Sequence, residues 1–280
     1  PRVWIAAGES YGPSSVEWAF QHMYRVRLCD LITMVGLDCS MYPPGSPELQ
    51  YWLHTNESMC TSDTLWWFGG DLATAPVYAY WADKTLPVNG RNVQYADLIY
   101  FFWYPYNRGK EVLSTTYGHH VGDWEHTSVR LMQTYDEAAD AWSLQPKQIY
   151  LSAHSFGRIH DWKVYPKVAS DPADPLSNRP VLYSADGSHG FWPAAGSYAY
   201  GSAAGVDLVD HCSAGTAWDT WLLMETYDYN AQQGLGASAW PVWMRTDSAT
   251  DCAIRCAWAS GQRRWSFGSE ICPESSSSIR

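Results

Sequence analysis

His119, His120, Asp123, Glu125 and His126 fall within eight residues of one stretch, TTYGHHVGDWEHTSVRL, Thr115 to Leu131. Side chains of these types move protons or hold cations. As a strand, the stretch places Asp123, Glu125 and Thr127 on one face and Trp124, His126 and Ser128 on the other. The two carboxylates then stand ~7 Å apart at Cα, from a rise of ~3.4 Å per residue. Such a pair repels itself unless a cation, a histidine or a shared proton compensates. Two more histidines stand beside serine at expected strand ends, His154 in SAHSFG and His189 in DGSHG, each followed by glycine. There the backbone must turn sharply or approach something closely. Trp124 suits a core, so the acids are expected to face outward, into a cleft shared with these histidines.

The elements that must position these groups are mainly strands. DLIYFFWYPY closes on the turn signal NRG, DWEHTSVRLMQ alternates, and KQIYLSAHS, RPVLYSA and DLVD are short β-like runs between Gly, Pro, Asp and Ser. WDTWLLMETYDY fits either strand or helix. MYPPGSPELQ and DPADPLSNRP read as loops. PSSVEWAFQHMYRV reads as a helix, capped by Ser14 or Ser15, with Glu17 in the first turn and an apolar stripe of Val16, Ala19, Phe20 and Met23. The fold class expected is mainly β, a jelly-roll-like β-sandwich with a few peripheral helices. No linker divides residues 1–280, so one domain is expected, ending in a frayed polar tail at ESSSS.

Composition narrows the partners. The chain has 280 residues, 46% of them hydrophobic, with a net charge of -11. That balance disfavours nucleic acid and anionic membrane surfaces, which recruit lysine and arginine. No apolar run approaches the roughly 20 residues of a membrane span. The 17 Trp and 19 Tyr suit a β-rich core, and some of their rings suit a sugar-stacking cleft. Seven cysteines, none in C-x-x-C spacing, fit up to three disulfides and a leftover thiol. With the NES sequon at Asn56, they point to a secreted glycoprotein.

ESYGPSSVEWAF, YFFWYPYNRG, GHHVGDWEHTSVRL, IYLSAHSFG, RPVLYSADGSHG and DLVDHCSAGTAWDTW occur in an order that resembles the vacuolar protein sorting-associated protein 62 family. His119 stands where that family's pattern has Asn. GHHVGDWEH is also similar to the G-H-R-H-D-W-E heptapeptide of the necrosis- and ethylene-inducing peptide-like proteins, with VG intervening. Those are secreted β-sandwich cytolysins whose heptapeptide binds a divalent cation and which recognise glycosylated sphingolipids. The resemblance implies a metal role for Asp123 and Glu125, and by extension His120. Asp210, in the matching DLVD motif, joins them as a candidate ligand of one Ca²⁺ or Mg²⁺. No organic cofactor is expected.

The function expected is a secreted, monomeric, glycan-active hydrolase or polysaccharide lyase. Asp123, Glu125, His154 and His189 are its candidate catalytic residues. Trp103, Tyr106, Trp218 and Asp219 are its candidate substrate contacts. The alternative is a lectin or cytolysin in which the same cluster holds a structural cation at a glycan or glycolipid site. A third possibility makes HVGDWEH a packing signature whose acids satisfy loop amides. Ser152, Ser155 and Ser188 lie near histidines in sequence, but a serine nucleophile is the less favoured chemistry.

Overall fold

The computed structural model describes residues 1–27, 51–55, 68–113 and 115–228. In chain order its strands are β1 (Arg2–Ile5), β2 (Met23–Arg27), β3 (Tyr51–Thr55), β4 (Val77–Val88), β5 (Arg91–Asn107), β6 (Lys110–Val112), β7 (Thr115–Tyr117), β8 (His120–Asp136), β9 (Ala141–Ala153), β10 (Phe156–Asp161), β11 (Val181–Ser184), β12 (Phe191–Trp192), β13 (Gly196–Ala203), β14 (Val206–Cys212), β15 (Thr216–Asp219) and β16 (Met224–Asp228). Six strands form a large sheet in the order β10-β9-β8-β5-β4-β16. A second sheet has the order β12-β11-β1-β15, and β2/β3, β6/β7 and β13/β14 are separate pairs. Most pairings are antiparallel. Two are parallel, β1 with β11 and β16 with β4.

The two sheets pack face to face as a β-sandwich, as the short alternating strands lead one to expect. Val3, Ile5, Leu182, Phe191 and Trp218 of the small sheet meet Val77, Phe102, Val129, Ile149 and Leu151 of the large one. The Phe102 ring sits edge-on to Phe191 and Trp218, at centroid distances of 4.8 and 5.6 Å.

The aromatic run in β5 is continuous because this strand is covered on both faces. Phe102 and Tyr104 enter the inter-sheet core. Phe101, Trp103 and Tyr106 belong to a second core on the outer face, under helix α1 (Val16–Phe20), which contributes Val16 and Ala19.

Helix α1 starts as expected, with Ser15 at the cap accepting from Trp18 N at 3.0 Å. It is much shorter than the 14-residue helix expected over residues 13–26. The chain leaves it at Phe20, and Met23 opens β2, paired with β3. MYRVR is a good strand sequence, and cross-strand pairing overrides its helical periodicity. The ambiguous WDTWLLMETYDY resolves into the end of β15, a 3-10 turn over Thr220–Leu222, and β16. DPADPLSNRP is a loop around a 3-10 turn, Pro175–Asn178, capped by Asp174. The MYPPGSPELQ loop, the Asn56 sequon, the C-terminal serines and every cysteine but Cys212 lie outside the described residues. Among the described residues, no helix is long and apolar enough to cross a membrane.

Candidate functional site

The register between β5 and β8 decides where the signature acids go. Tyr104 pairs with Asp123, Phe102 with Glu125 and Trp103 with Trp124. Phe102 and Tyr104 face the inter-sheet core, so Asp123 and Glu125 do too, at 4% and 2% exposure. The expected orientation is therefore reversed. Trp124 lies on the outer face, half-buried, 4.9 Å from the Trp103 ring and 5.8 Å from Tyr78. The aromatic bed under α1 claims Trp124, and the two-residue period then turns both neighbours inward. His126 follows Trp124 outward and stacks between Phe101 and Tyr150, with centroids at 5.6 and 5.3 Å. Gly122 permits this packing. Its φ is +73°, and a Cβ there would lie 2.6 Å from Cη2 of the buried Trp103.

Inside the sandwich, Asp123 Oδ2 accepts from Nδ1 of His189 at 3.1 Å. His189 is fully buried and stacks on Tyr104, with centroids 3.9 Å apart and planes within 5°. Its Nε2 faces Glu9 Oε2 at 3.8 Å, beyond hydrogen-bond range. Glu9 itself accepts from the backbone N–H groups of Gly187 (2.5 Å) and Tyr11 (2.8 Å). Glu125 accepts from the Ser152 hydroxyl, which in turn accepts from His126 N at 2.9 Å. The Tyr104 phenol is pushed far up by burial; a hydrogen bond with Ser184 opposes this, and the charges of Glu125, Asp123 and Glu9 add to it. The charges of three carboxyl groups thus act on the tyrosine of this stack.

A second network centres on Asp210, which is fully buried on β14. It accepts from His154 Nε2 (2.8 Å), Ser188 Oγ (2.5 Å) and Trp192 Nε1 (2.9 Å), with Lys110 Nζ at 3.6 Å. Burial works to raise its pKa, but the bonds from His154, Ser188 and Trp192 outweigh it and hold the carboxyl below the usual range. Gly190 makes room for this packing, since a Cβ there would lie 3.1 Å from Asp210 Oδ2. Ser188 donates to the aspartate rather than to a histidine, so the order of a serine–histidine–aspartate relay is absent here. Cys212 on the same strand is a buried free thiol whose pKa is pushed up to about 12, chiefly by burial. It is not a reactive nucleophile.

Both flagged histidines occupy the left-handed region, His154 at φ +54° and His189 at φ +61°. His154 begins the two-residue turn between β9 and β10, and His189 sits in the loop before β12. The sharp turns expected at these positions are present. Non-glycine residues held in this region are strained and cluster at functional sites.

The sequence-predicted residues therefore fall into separate groups. Asp123 meets His189, and His154 meets Asp210. Glu125 is engaged by Ser152, and His120 Nδ1 donates to Gly122 O at 2.9 Å. Among the described residues, no three His, Cys, Asp or Glu side chains converge in a way that could hold a metal. The proposed ligand set of His120, Asp123, Glu125 and Asp210 does not fit a cation, because its members sit in different hydrogen-bond sets. Trp103 and Trp218 are buried in the two cores and present no ring face to solvent. Tyr106 is half-buried, at 5.0 Å from Tyr11. Asp219 pairs across strands with Arg2 through two bonds of 2.5 and 2.8 Å.

Sequence reasoning missed Glu9, Lys110 and Tyr104 as members of these networks, and named Ser152 only for its nearness to a histidine in sequence. Glu9 opens the first of the six motifs, which was the available signal. The same segment, GESYG, carries G-x-S-x-G spacing. It is not a nucleophile elbow: Ser10 is exposed, its φ is not left-handed, and α1 begins only at Val16.

The family model described as vacuolar protein sorting-associated protein 62 matches residues 1–230. The putative vacuolar protein sorting-associated protein TDA6 of Saccharomyces cerevisiae is 29% identical over 150 residues, 49% of this chain and 30% of its own. Vacuolar protein sorting-associated protein 62 of the same organism is 26% identical over 166 residues, 56% of this chain and 32% of its own. The chain thus matches about a third of the length of these curated relatives. A solved structure described as "Toxin fold for microbial attack and plant defense" aligns over 82% of this chain and 70% of that one, at 17% identity and a TM-score of 0.32. With most of its length matched by the family model, the chain belongs to the vacuolar protein sorting-associated protein 62 family.

Proposed function

We propose that the protein is a glycan- or glycolipid-binding protein, extracellular and monomeric, in which the signature acids brace the sandwich. The observation that carries this is the burial of Asp123 and Glu125 between the sheets, hydrogen-bonded to His189 and Ser152. A glycosidase needs both carboxyls against the scissile bond. At this burial, with Asp123 held by His189 and Glu125 by Ser152, these cannot reach a sugar without opening the core. The low charge, acidic balance and abundance of aromatic rings suit a neutral polyhydroxylated ligand. In this reading binding is independent of metal. A glycan array probed with the intact chain tests this, with a reproducible set of bound glycans expected. An array without hits would overturn it.

One observation favours a second, enzymatic reading. His154 has an 18% exposed side chain and its Nε2 on the fully buried Asp210, the pairing that orients a general base. If glycan turnover is found, His154→Gln should abolish it while Glu125→Gln should reduce stability first. The opposite pattern would restore the hydrolase centred on Asp123 and Glu125.

A further inference from the structure

The tip of the β8–β9 hairpin carries groups that neither buried network uses. Tyr135 and Trp142 are directly opposite each other across the hairpin, with ring centroids 5.2 Å apart and planes at 54°. Both are exposed, Trp142 at 64%, the highest value among the large aromatic side chains in the described residues. The four-residue turn between them is built by two aspartates. Asp136 Oδ1 accepts from Ala138 N (3.0 Å) and Ala139 N (3.2 Å). Asp140 holds a left-handed φ of +49°, where glycine is the ordinary choice, and its Oδ1 accepts from the Tyr135 hydroxyl.

We infer that this tip is a saccharide-binding platform. The inference rests on the glycan-binding reading above and names its site. The exposed Trp142 indole offers a flat apolar face to the C–H side of a pyranose, and Tyr135 forms a second wall at an angle to it. Asp136 commits Oδ1 to the turn and Asp140 commits Oδ1 to the Tyr135 hydroxyl, and each keeps Oδ2 as an acceptor for sugar hydroxyls. Because the turn already fixes both side chains, little rotamer freedom is lost on binding. Charge selects among ligands. Residues 131–146 contain Asp136, Glu137 and Asp140 and no lysine or arginine. Such a surface repels phosphate, sulfate and anionic lipid headgroups, and accepts a neutral polyol.

The test uses the intact chain on an array of neutral, anionic and aminated oligosaccharides, with basic peptides spotted alongside. The best glycan is then titrated by calorimetry against wild type, Trp142→Ala, Asp140→Ala and, as a control, Tyr117→Ala. Tyr117 is exposed on a different hairpin. Trp142→Ala is expected to weaken binding about tenfold or more, Asp140→Ala several-fold, and Tyr117→Ala not at all. Circular dichroism should be unchanged in all three, because the side chains removed are exposed. Wild-type binding that survives Trp142→Ala undiminished would overturn this site and leave glycan binding standing. Absence of any bound neutral glycan would overturn both. Capture of basic peptides alone, lost in high salt, would show an acidic docking patch and overturn the saccharide assignment.

Discussion

Replacing Asp210 by alanine tests the energetics of the interior most sharply. The carboxylate is fully buried and serves three donors, Ser188 Oγ, Trp192 Nε1 and His154 Nε2. Alanine leaves the first two without their acceptor in a dry site, and each such loss costs ~1–3 kcal/mol. His154 reaches solvent with 18% of its side chain and can rehydrate, so its share is small. The sum is about 4 kcal/mol, close to the ~3–5 kcal/mol expected when one partner of a buried charged set is removed. For a chain of this size that lowers the unfolding midpoint by about 8–16 °C. Asp210→Asn keeps one acceptor oxygen and should lose about half as much. Urea and thermal unfolding followed by fluorescence and circular dichroism give both numbers. A loss below about 1 kcal/mol for alanine, the range of an ordinary surface change, would refute the reasoning.

Three further outcomes follow from the same geometry. Gly122→Ala should destabilise by about 2–3 kcal/mol in denaturant titration, since a left-handed φ of +73° and a 2.6 Å approach to the Trp103 ring both oppose a Cβ. Asp210 and Asp97 have folded pKa values below the ordinary 3.8, so the unfolded chain binds protons first on acidification. Their stabilisation is complete above that value and is lost as pH falls from it through the lower folded values, and Asp210→Asn should flatten the acid limb of a stability–pH curve. Treatment with a strong chelator should leave both the unfolding midpoint and glycan binding unchanged. A drop in either would show a cation held by the protein.

The sandwich was legible because short β-like runs, rich in aromatic and β-branched residues, are separated by polar turns. The positions of the turns at His154 and His189 were legible for a similar local reason. The side on which Asp123 and Glu125 fall was not. Alternation shows that they oppose Trp124, but which face is interior depends on α1 covering the outer one, a contact between Val16, Ala19 and Trp103 far apart in sequence. The pairings of the site were hidden in the same way. Gly187 meets Glu9 across 178 residues, and His154 meets Asp210 across 56. The SAHSFG and DLVD motifs could nominate His154 and Asp210, but only the fold could join them. The helix over residues 13–26 failed at Met23 because β2 and β3 pair, a gain that periodicity within one segment cannot register. Trp103 and Trp218 were assigned to sugar stacking on residue type, whereas both are buried and the more exposed rings are those of Tyr135 and Trp142.

In the proposed function the protein holds a glycan without cutting it, since Asp123 and Glu125 lie inside the sandwich. The most direct measurement is mass spectrometry of an oligosaccharide selected on the array, after long incubation with excess protein. Recovery of the intact mass, with binding retained by a folded Glu125→Gln variant, is the predicted result. Shortened or unsaturated fragments from wild type that disappear in Glu125→Gln would contradict it.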